Sequence, residues 1–195
     1  GRGASMAGTS TTTGDGGMLI IKNKDLIDKA ERIRWFGIDR KSKQAGIWEN
    51  DITEIGYKYQ MTDIAAAMGI ASLSEFDDQS QIRKSLFQVY EEELAGCERL
   101  RIIGSGYKDR EHAAWLFTVI VEERYKLQEK LRDNNIESNQ VHFRNDRYSI
   151  FKEFTNGKVF PNMDKIEDDY LVLPLHTKMT VEDARRVCSV IKSGW

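Results

Sequence analysis

Residues 12–17 read Thr-Thr-Gly-Asp-Gly-Gly and run directly into the apolar stretch Met-Leu-Ile-Ile at residues 18–21. Glycine and aspartate tolerate positive φ angles and let other groups approach the backbone closely. Threonine hydroxyls and backbone N–H groups in such a turn can face an anion such as phosphate. This stretch predicts a phosphate-facing turn, with a plain surface turn as the alternative. The apolar residues that follow predict a short buried strand over residues 18–22.

The charge of the chain is nearly balanced. Its 195 residues include 29 lysines and arginines and 31 aspartates and glutamates, which give a net charge of −2. A balanced, interspersed charge argues against a dedicated nucleic-acid or membrane-surface binder. No apolar run approaches the ~20 residues that a membrane-spanning helix needs. We expect a cytoplasmic protein with no nucleic-acid partner and no membrane partner.

The cysteines and histidines do not form a metal-binding pattern. Cys97 and Cys188 lack the spacing of metal ligands, and His112, His142 and His176 are far apart in the sequence. Two such cysteines are typical of buried thiols in a reducing compartment, with a single disulfide as the alternative. The sequence therefore predicts no bound metal.

Three regions of the chain differ in composition and pattern. Residues 1–11 are small, polar and without periodicity, which is typical of a vector remnant. Residues 12–96 hold one predicted strand and several helices. Because one strand cannot form a sheet, we interpret them as the remnant of a larger domain. Residues 97–195 are predicted to form a small α/β domain that buries its own core.

The periodicity of the middle region predicts three helices. The first begins at Lys24 and ends at Gly37, and a polar loop over residues 38–50 follows it. The second covers residues 64–73 and is expected to be buried, because it is rich in alanine and methionine. The third covers residues 77–94. Its apolar face is formed by Ile82, Leu86, Tyr90 and Leu94.

The last region alternates strands and helices. Strands are predicted over residues 115–121, 136–143 and 169–173, and an amphipathic helix over residues 124–134. Thr-Val-Glu-Asp from residue 180 resembles a capping box that opens a final helix. The order strand, helix, strand, strand, helix predicts an α/β sandwich in which helices cover one face of a small sheet.

Five segments, in this order, resemble one known family. Residues 12–17 are similar to the segment that follows the family's Schiff-base lysine. Residues 34–40 resemble its arginine-x-x-glycine loop, and residues 56–67 resemble its motif Gly-Tyr-Asn-Tyr-Arg-Met-Thr-Asp-Ile-Gln-Ala-Ala. Residues 135–142 and 171–176 are similar to two of its strands. The chain thus resembles the carboxy-terminal portion of the DegT/DnrJ/EryC1/StrS sugar aminotransferases.

The resemblance implies a fold-type I transferase that depends on pyridoxal phosphate. This chain would supply a helical remnant of the cofactor-binding large domain and the small α/β domain. Such enzymes move an amino group from glutamate to a nucleotide-linked keto sugar and work as homodimers. The resemblance places the Schiff-base lysine at Thr9, and threonine cannot form the imine. We expect that the lysine was lost with everything upstream, so that this chain is inactive and binds no cofactor by itself.

The resemblance also implies roles for five residues. Lys58 takes the place of an asparagine that reaches the cofactor phosphate of the neighbouring subunit, and Gln60 takes that of a substrate-recognising arginine. His142, Arg144 and Asn145 are expected to contact the sugar or its diphosphate, since arginine bonds oxygens in pairs. The alternatives are a solvated surface lysine at position 58 and a polar cluster at a strand end.

Two other functions stay open on the sequence. Some relatives in the superfamily are sugar dehydratases, which carry histidine in place of the lysine. The residue that the parent protein carries at the position of Thr9 would distinguish the two activities. The chain could instead be a non-catalytic structural module that buries uncovered apolar faces by forming oligomers.

Overall fold

The computed structural model describes residues 11–49 and 51–195. It separates into two compact units, one ending at Phe76 and one running from Asp77 to Trp195. The sequence pattern places the division after Gly96 instead. The two divisions differ because the helix that begins at Phe76 contributes its apolar face to the core of the second unit.

The first unit consists of short helices joined by long connections. A 3-10 turn at Lys24–Leu26 leads into α1, Ile27–Arg34, and α2, Arg40–Gln44, follows. Helix α3 covers Asp63–Ser74. None of these helices contains a buried residue.

The predicted buried strand over residues 18–22 is wrong. These residues form no strand, and Met18, Leu19 and Ile20 are 73%, 67% and 68% exposed. A strand needs a hydrogen-bonded neighbour. The described part of this unit holds no other strand that could serve as one.

Two further expectations for this unit are wrong. The polar loop predicted over residues 38–50 contains α2, because Asp39 caps that helix by accepting a hydrogen bond from the Ser42 N–H at 3.1 Å. Helix α3 forms as predicted and is capped by Thr62, but it is not buried, and Ile70 is 71% exposed. Its apolar residues lie on all sides of the helix, so a single neighbouring surface cannot cover them.

The second unit combines helices with one antiparallel sheet. Its helices are α4 (Phe76–Glu93), α5 (Arg124–Asp133), α6 (Lys152–Thr155), α7 (Pro161–Asp164) and α8 (Val181–Lys192). Its strands are β1 (Leu100–Ile102), β2 (Phe117–Val121) and β3 (Tyr170–Leu173). The central strand β2 pairs with both neighbours, with Leu100 opposite Val121 and Phe117 opposite Leu173. Within the described chain, no helix is long and apolar enough to cross a membrane.

The core of the second unit lies where the amphipathic helices meet the sheet. Of the predicted face of α4, Leu86 and Tyr90 are buried but Ile82 is exposed, and the Tyr90 hydroxyl donates to the Pro174 carbonyl at 2.8 Å. Leu127 and Leu131 of α5 are also fully buried, as predicted. Burying each leucine of this kind contributes about 1.5–3 kcal/mol. The three-to-four-residue repeat of apolar side chains in these helices thus supplies much of this core.

The capping box predicted for the last helix is confirmed. Thr180 Oγ1 accepts a hydrogen bond from the Asp183 N–H at 3.1 Å, and the Asp183 carboxylate accepts one from the Thr180 N–H at 2.8 Å. The Thr180 N–H lowers the pKa of Asp183. Ala184, Val187 and Ile191 are buried along the predicted face of α8.

The predicted strand over residues 136–143 is wrong. In the described chain this segment joins the sheet at Asn139 alone, through two hydrogen bonds with Val172. Asn135 and Val141 have φ angles of 57° and 63°, which interrupt the extended backbone on either side. The sheet instead contains β1, whose three residues are too few to show a period-two pattern.

Candidate active site

The segment at residues 56–60 is fixed against the end of α1. The Phe36 N–H donates to the Tyr57 carbonyl at 3.0 Å, and the Tyr57 N–H donates to the Ile33 carbonyl at 2.7 Å. The Tyr59 N–H donates to the Arg34 carbonyl at 2.9 Å. These backbone bonds hold the segment in one position, so the side chains that alternate along it have defined places.

Two glycines permit this close approach. A Cβ added to Gly56 would lie 1.9 Å from the nitrogen of Gly37, and a Cβ added to Gly37 would lie 2.3 Å from the Glu54 carbonyl oxygen. Gly37 also has a φ of +76°, which other residues rarely adopt. An ion pair at 2.7 Å between Arg32 Nε and Glu54 Oε1 fastens the same crossing. Neither Gly37 nor Gly56 has room for a side chain, so the two segments can cross this closely only at glycines.

Lys58 lies on this fixed segment and is exposed. Its backbone forms an isolated bridge with Trp35, and its Nζ lies 6.0 Å from the centroid of the Trp35 ring. Among the described residues, no carboxylate forms an ion pair with it. An ammonium group in this position can accept the oxygens of a phosphate as a point charge.

Gln60 lies on the same segment and contacts a residue from α2. Its Oε1 accepts a hydrogen bond from Arg40 Nη1 at 2.6 Å. The Arg40 guanidinium carbon lies 5.1 Å from the Trp35 ring centroid. Lys58 and Arg40 are therefore two cations that share one indole ring, beside a neutral amide.

The glycine-rich turn at residues 12–17 is held by local hydrogen bonds. Thr12 Oγ1 accepts from the Gly14 N–H at 3.1 Å, and Thr13 Oγ1 donates to the Asp15 carbonyl at 3.1 Å. The Thr12 N–H donates to Ser72 Oγ at 3.0 Å, which ties the turn to α3. The threonine hydroxyls are thus engaged within the protein, and the phosphate-facing role of the turn stays a prediction.

The second unit presents His142 at its surface. The side chain is exposed, and its ring centroid lies 5.8 Å from that of Trp115. Its backbone carbonyl accepts a hydrogen bond from the Tyr170 hydroxyl. The imidazole is thus available to a ligand, while its backbone is anchored at the start of β3. Asn145 is exposed nearby in the sequence, in a 3-10 turn that begins there.

Arg144, in contrast, is buried and surrounded by carboxylates. Its side chain is 3% exposed, and Nε and Nη2 donate to the two Asp146 oxygens at 2.9 and 2.7 Å. Its Nη1 donates to Asp164 at 2.7 Å and to Glu167 at 2.8 Å. Hydrogen bonds to Asp146 and then to Asp164 raise the pKa of Arg144, and Arg144 holds the pKa of Asp146 below its usual range. Because the guanidinium is occupied within its own unit, its predicted contact with a diphosphate stays a prediction.

Both cysteines are free thiols, as predicted, but only Cys188 is buried, and Cys97 is partly exposed. Cys188 is buried, and desolvation raises the pKa of its thiol to about 12, so it stays neutral at ordinary pH. Within residues 11–49 and 51–195, no group of three or more histidine, cysteine, aspartate or glutamate side chains could hold a metal ion.

A comparison with known proteins decides the family. The model of the DegT/DnrJ/EryC1/StrS aminotransferase family matches residues 6–192. The chain belongs to this family. The matched range begins within residues 1–11, whose interpretation as a vector remnant stays a prediction. It also includes Thr9, the predicted position of the lysine, which lies outside the described residues.

Several members of the DegT/DnrJ/EryC1/StrS family are similar to this chain. An uncharacterized protein of Methanocaldococcus jannaschii is 32% identical over 194 residues, which cover 93% of this chain and 50% of that protein. The UDP-4-amino-4,6-dideoxy-N-acetyl-beta-L-altrosamine transaminase of Campylobacter jejuni is 28% identical over 182 residues, which cover 90% of this chain and 47% of the enzyme.

A solved member of the family has the same fold. The crystal structure of sugar aminotransferase CalS13 from Micromonospora echinospora superimposes with a TM-score of 0.84 at 30% identity, over 94% of this chain and 48% of that one. This confirms a mixed helix-and-strand fold shared with sugar aminotransferases. The chain spans about half the length of the curated relatives it matches.

The sequence did not predict Arg40 as a site residue. It lies within the loop motif at residues 34–40, but its contact with Gln60 joins residues that are 20 positions apart. The pattern also gave no sign that Arg144 would be buried among acidic residues. A weak signal was present, since Asp146 follows two positions later and a second arginine comes next.

Proposed function

We propose that the protein carrying this chain is a cytoplasmic, homodimeric aminotransferase that uses pyridoxal phosphate and moves an amino group from glutamate to a nucleotide-linked keto sugar. The family membership and the transaminase among its relatives support this proposal. The observation that carries it is Lys58, an exposed cation on a fixed segment and without a carboxylate partner in the described chain.

The residues around Lys58 fit the phosphate of the cofactor. Backbone pairing with Trp35 fixes where the lysine side chain begins, and Nζ lies 6.0 Å from the centroid of the Trp35 ring. Glu54, the carboxylate that pairs with Lys29 and Arg32, forms no ion pair with Lys58 in the described chain. In a homodimer, an exposed cation of this kind could reach the cofactor of the neighbouring subunit.

The bound cofactor would supply an electron sink for the bond changes at the reacting carbon. Lys58 would hold its phosphate group. In the second unit, His142 and Asn145 would orient the sugar by hydrogen bonds, and we propose that Arg144 contributes to diphosphate binding only if its carboxylates are displaced.

We also propose that residues 1–195 do not turn over substrate alone. The position that the resemblance assigns to the catalytic lysine is Thr9, which has no amine. The proposed inactivity is that of residues 1–195 alone, whereas the proposed aminotransferase activity is that of the protein that carries them.

The experiment uses the protein that carries this chain, loaded with pyridoxal phosphate. Glutamate and a panel of 4-keto and 3-keto nucleotide sugars are supplied, and aminated products are identified by mass spectrometry. We expect one nucleotide sugar to be aminated. Lys58→Ala should raise the cofactor concentration needed for half-saturation by about 10-fold or more, because one charge-assisted hydrogen bond is lost.

Two results would contradict the proposal. Loss of the sugar hydroxyl without gain of nitrogen would indicate a dehydratase. No change in any nucleotide sugar, together with no cofactor absorbance, would favour the non-catalytic module. Lys43→Ala serves as the control for the lysine variant, because Lys43 is also a cation of the first unit but stacks on Trp48, at 5.9 Å from that ring's centroid.

A further inference from the structure

Three cations of the first unit, Lys29, Arg32 and Lys41, form ion pairs with neighbouring carboxylates. Lys29 and Arg32 both pair with Glu54, at 3.7 and 2.7 Å. Lys41 pairs with Asp28 and Glu31, at 3.2 and 2.8 Å. These pairs hold α1, α2 and the segment before Gly56 together, and each of these cations has a carboxylate beside it that offsets its charge.

Arg40 differs from these cations. Among the described residues it forms no ion pair, and its contacts are the Gln60 amide oxygen at 2.6 Å and the face of Trp35 at 5.1 Å. A neutral amide can position a guanidinium but cannot compensate its charge. The charge of Arg40 is therefore available to an anion at a surface where it is exposed.

The geometry prepares Arg40 for binding. A guanidinium carries five N–H donors in a planar fork, and the hydrogen bond to Gln60 uses one of them. Stacking on Trp35 restricts the rotation of the long side chain, so less entropy is lost when a ligand binds. The remaining donors can form two parallel bonds to a carboxylate or a phosphate.

The neighbouring lysine strengthens this conclusion. Lys58 Nζ lies 6.0 Å from the centroid of the same Trp35 ring, so two positive charges lie close to one indole ring. Two neighbouring cations raise the local positive potential, which attracts anions to this part of the first unit. At position 60 the family motif quoted above has arginine where this chain has glutamine, and Arg40 of helix α2 brings a guanidinium to that glutamine.

We infer that Arg40 binds an oxyanion of a substrate, with Gln60 and Trp35 holding its guanidinium in place. The chemistry recognised is a pair of anionic oxygens, supplied either by the carboxylate of the amino donor or by the diphosphate of the nucleotide sugar. The inference rests on the proposed function for the identity of these substrates, but the anion contact itself can be tested without turnover.

The kinetic test compares Arg40→Ala, Arg40→Lys and Gln60→Ala in the holoenzyme. The KM for the substrate that carries the anion should rise about 10- to 100-fold in Arg40→Ala, with a smaller change in kcat, because a charge-assisted contact is lost. Arg40→Lys should recover part of the affinity, and Gln60→Ala should raise KM less. Lys43→Ala, which changes another cation of the same helix, should leave both KM values unchanged.

The two half-reactions identify the source of the anion. If Arg40→Ala needs a higher concentration of the amino donor for half-maximal rate, and no more nucleotide sugar, the contact is with the donor carboxylate. If it needs a higher concentration of the nucleotide sugar only, the contact is with the diphosphate. Equal KM values for both substrates in Arg40→Ala and wild type would overturn the inference.

A binding experiment separates this inference from the proposed function. Inorganic pyrophosphate and glutarate are titrated into wild type and Arg40→Ala by calorimetry, after circular dichroism confirms that both are folded. Weaker binding of either probe to Arg40→Ala supports the anion site, even if no sugar is aminated. Equal binding to both proteins, or no binding of either probe to wild type, overturns it, even if amination is found.

Discussion

Gly37 and Gly56 pass each other where neither has room for a side chain. This crossing fixes the positions of Lys58 and Gln60 on one side and of Arg40 on the other. The sequence predicted Lys58 and Gln60 as site residues through a family motif. It could not predict the contact with Arg40, because that contact depends on where two distant segments cross and not on any local pattern.

Gly56→Ala should destabilise the protein. Its new Cβ would lie 1.9 Å from the Gly37 nitrogen, and backbone atoms cannot move aside cheaply. We expect a loss of about 1–3 kcal/mol in the free energy of unfolding, as for other overpacked sites. Denaturant unfolding, followed by a probe in the first unit, measures it.

The matched control for this variant is Gly17→Ala. A Cβ at Gly17 would meet no atom within 4 Å. Its free energy of unfolding should stay within about 0.5 kcal/mol of wild type. Equal stability of the two variants would mean that the crossing is looser than described.

At the scale of elements, helices with one apolar face and the two apolar strands β2 and β3 were predictable, whereas the strands predicted over residues 18–22 and 136–143 do not form. The face of α4, with Leu86 and Tyr90, and that of α8, with Val187, follow from a three-to-four-residue repeat that packs against the sheet. The segment at residues 136–143 has an alternating pattern, but a strand also needs a partner along its length. Here the positive φ angle at Val141 prevents that pairing, and no sequence pattern marks it.

The buried Arg144 joins three elements of the second unit. It links the 3-10 turn that contains Asp146, helix α7 through Asp164, and the connection to β3 through Glu167. Arginine suits this place because its fork bonds several carboxylates at once. The arrangement holds the polypeptide on which His142 and Asn145 lie.

Arg144→Ala should lower the thermal midpoint at neutral pH more than Arg147→Ala does. Arg147 is half-exposed and bonds only to Glu167, at 2.7 Å, in the described chain. In Arg144→Ala, the three carboxylates that bonded the guanidinium face one another without a cation between them. In the control Arg147→Ala, Arg144 still bonds all three. Differential scanning calorimetry of the two variants and wild type measures this.

The same variant should change the response to acid. Arg144 lowers the pKa of Asp146 in the folded protein, so the pair contributes stability above the usual aspartate pKa of about 3.9. That contribution is lost as pH falls through the lowered pKa of the folded state. The difference in thermal midpoint between wild type and Arg144→Ala should therefore become smaller below about pH 4. An equal difference at pH 7 and pH 3 would show that it does not depend on the charge of the carboxylates.

Over the whole molecule, apolar burial is divided unevenly. The described hydrophobic core lies entirely within the second unit. The first unit instead exposes large apolar side chains, which include Met18, Ile20, Ile55, Ile64, Ile70 and Leu73. The sequence correctly predicted uncovered apolar faces in this region from its single predicted strand, although that strand itself does not form.

Residues 1–195 should therefore associate in solution. Exposed apolar area is removed from water when copies meet, at roughly 25 cal/mol per Å². Sedimentation velocity at several concentrations should show species larger than the monomer, and Ile64→Glu with Ile70→Glu should reduce them. Ile150→Glu is the control, because Ile150 is 77% exposed but lies in the second unit. A single monomeric species at every concentration would contradict the prediction.

The crossing of the two glycines also affects how this protein can vary. Because it closes the loop from Ile38 to Ile55 at its base, the outer part of that loop, residues 46–51, can lengthen or shorten without shifting Lys58. Surface connections accept such length changes at small entropic cost. Residues 46–51 are thus where this loop can change in length, while Arg40 and Lys58 keep their places beside Trp35.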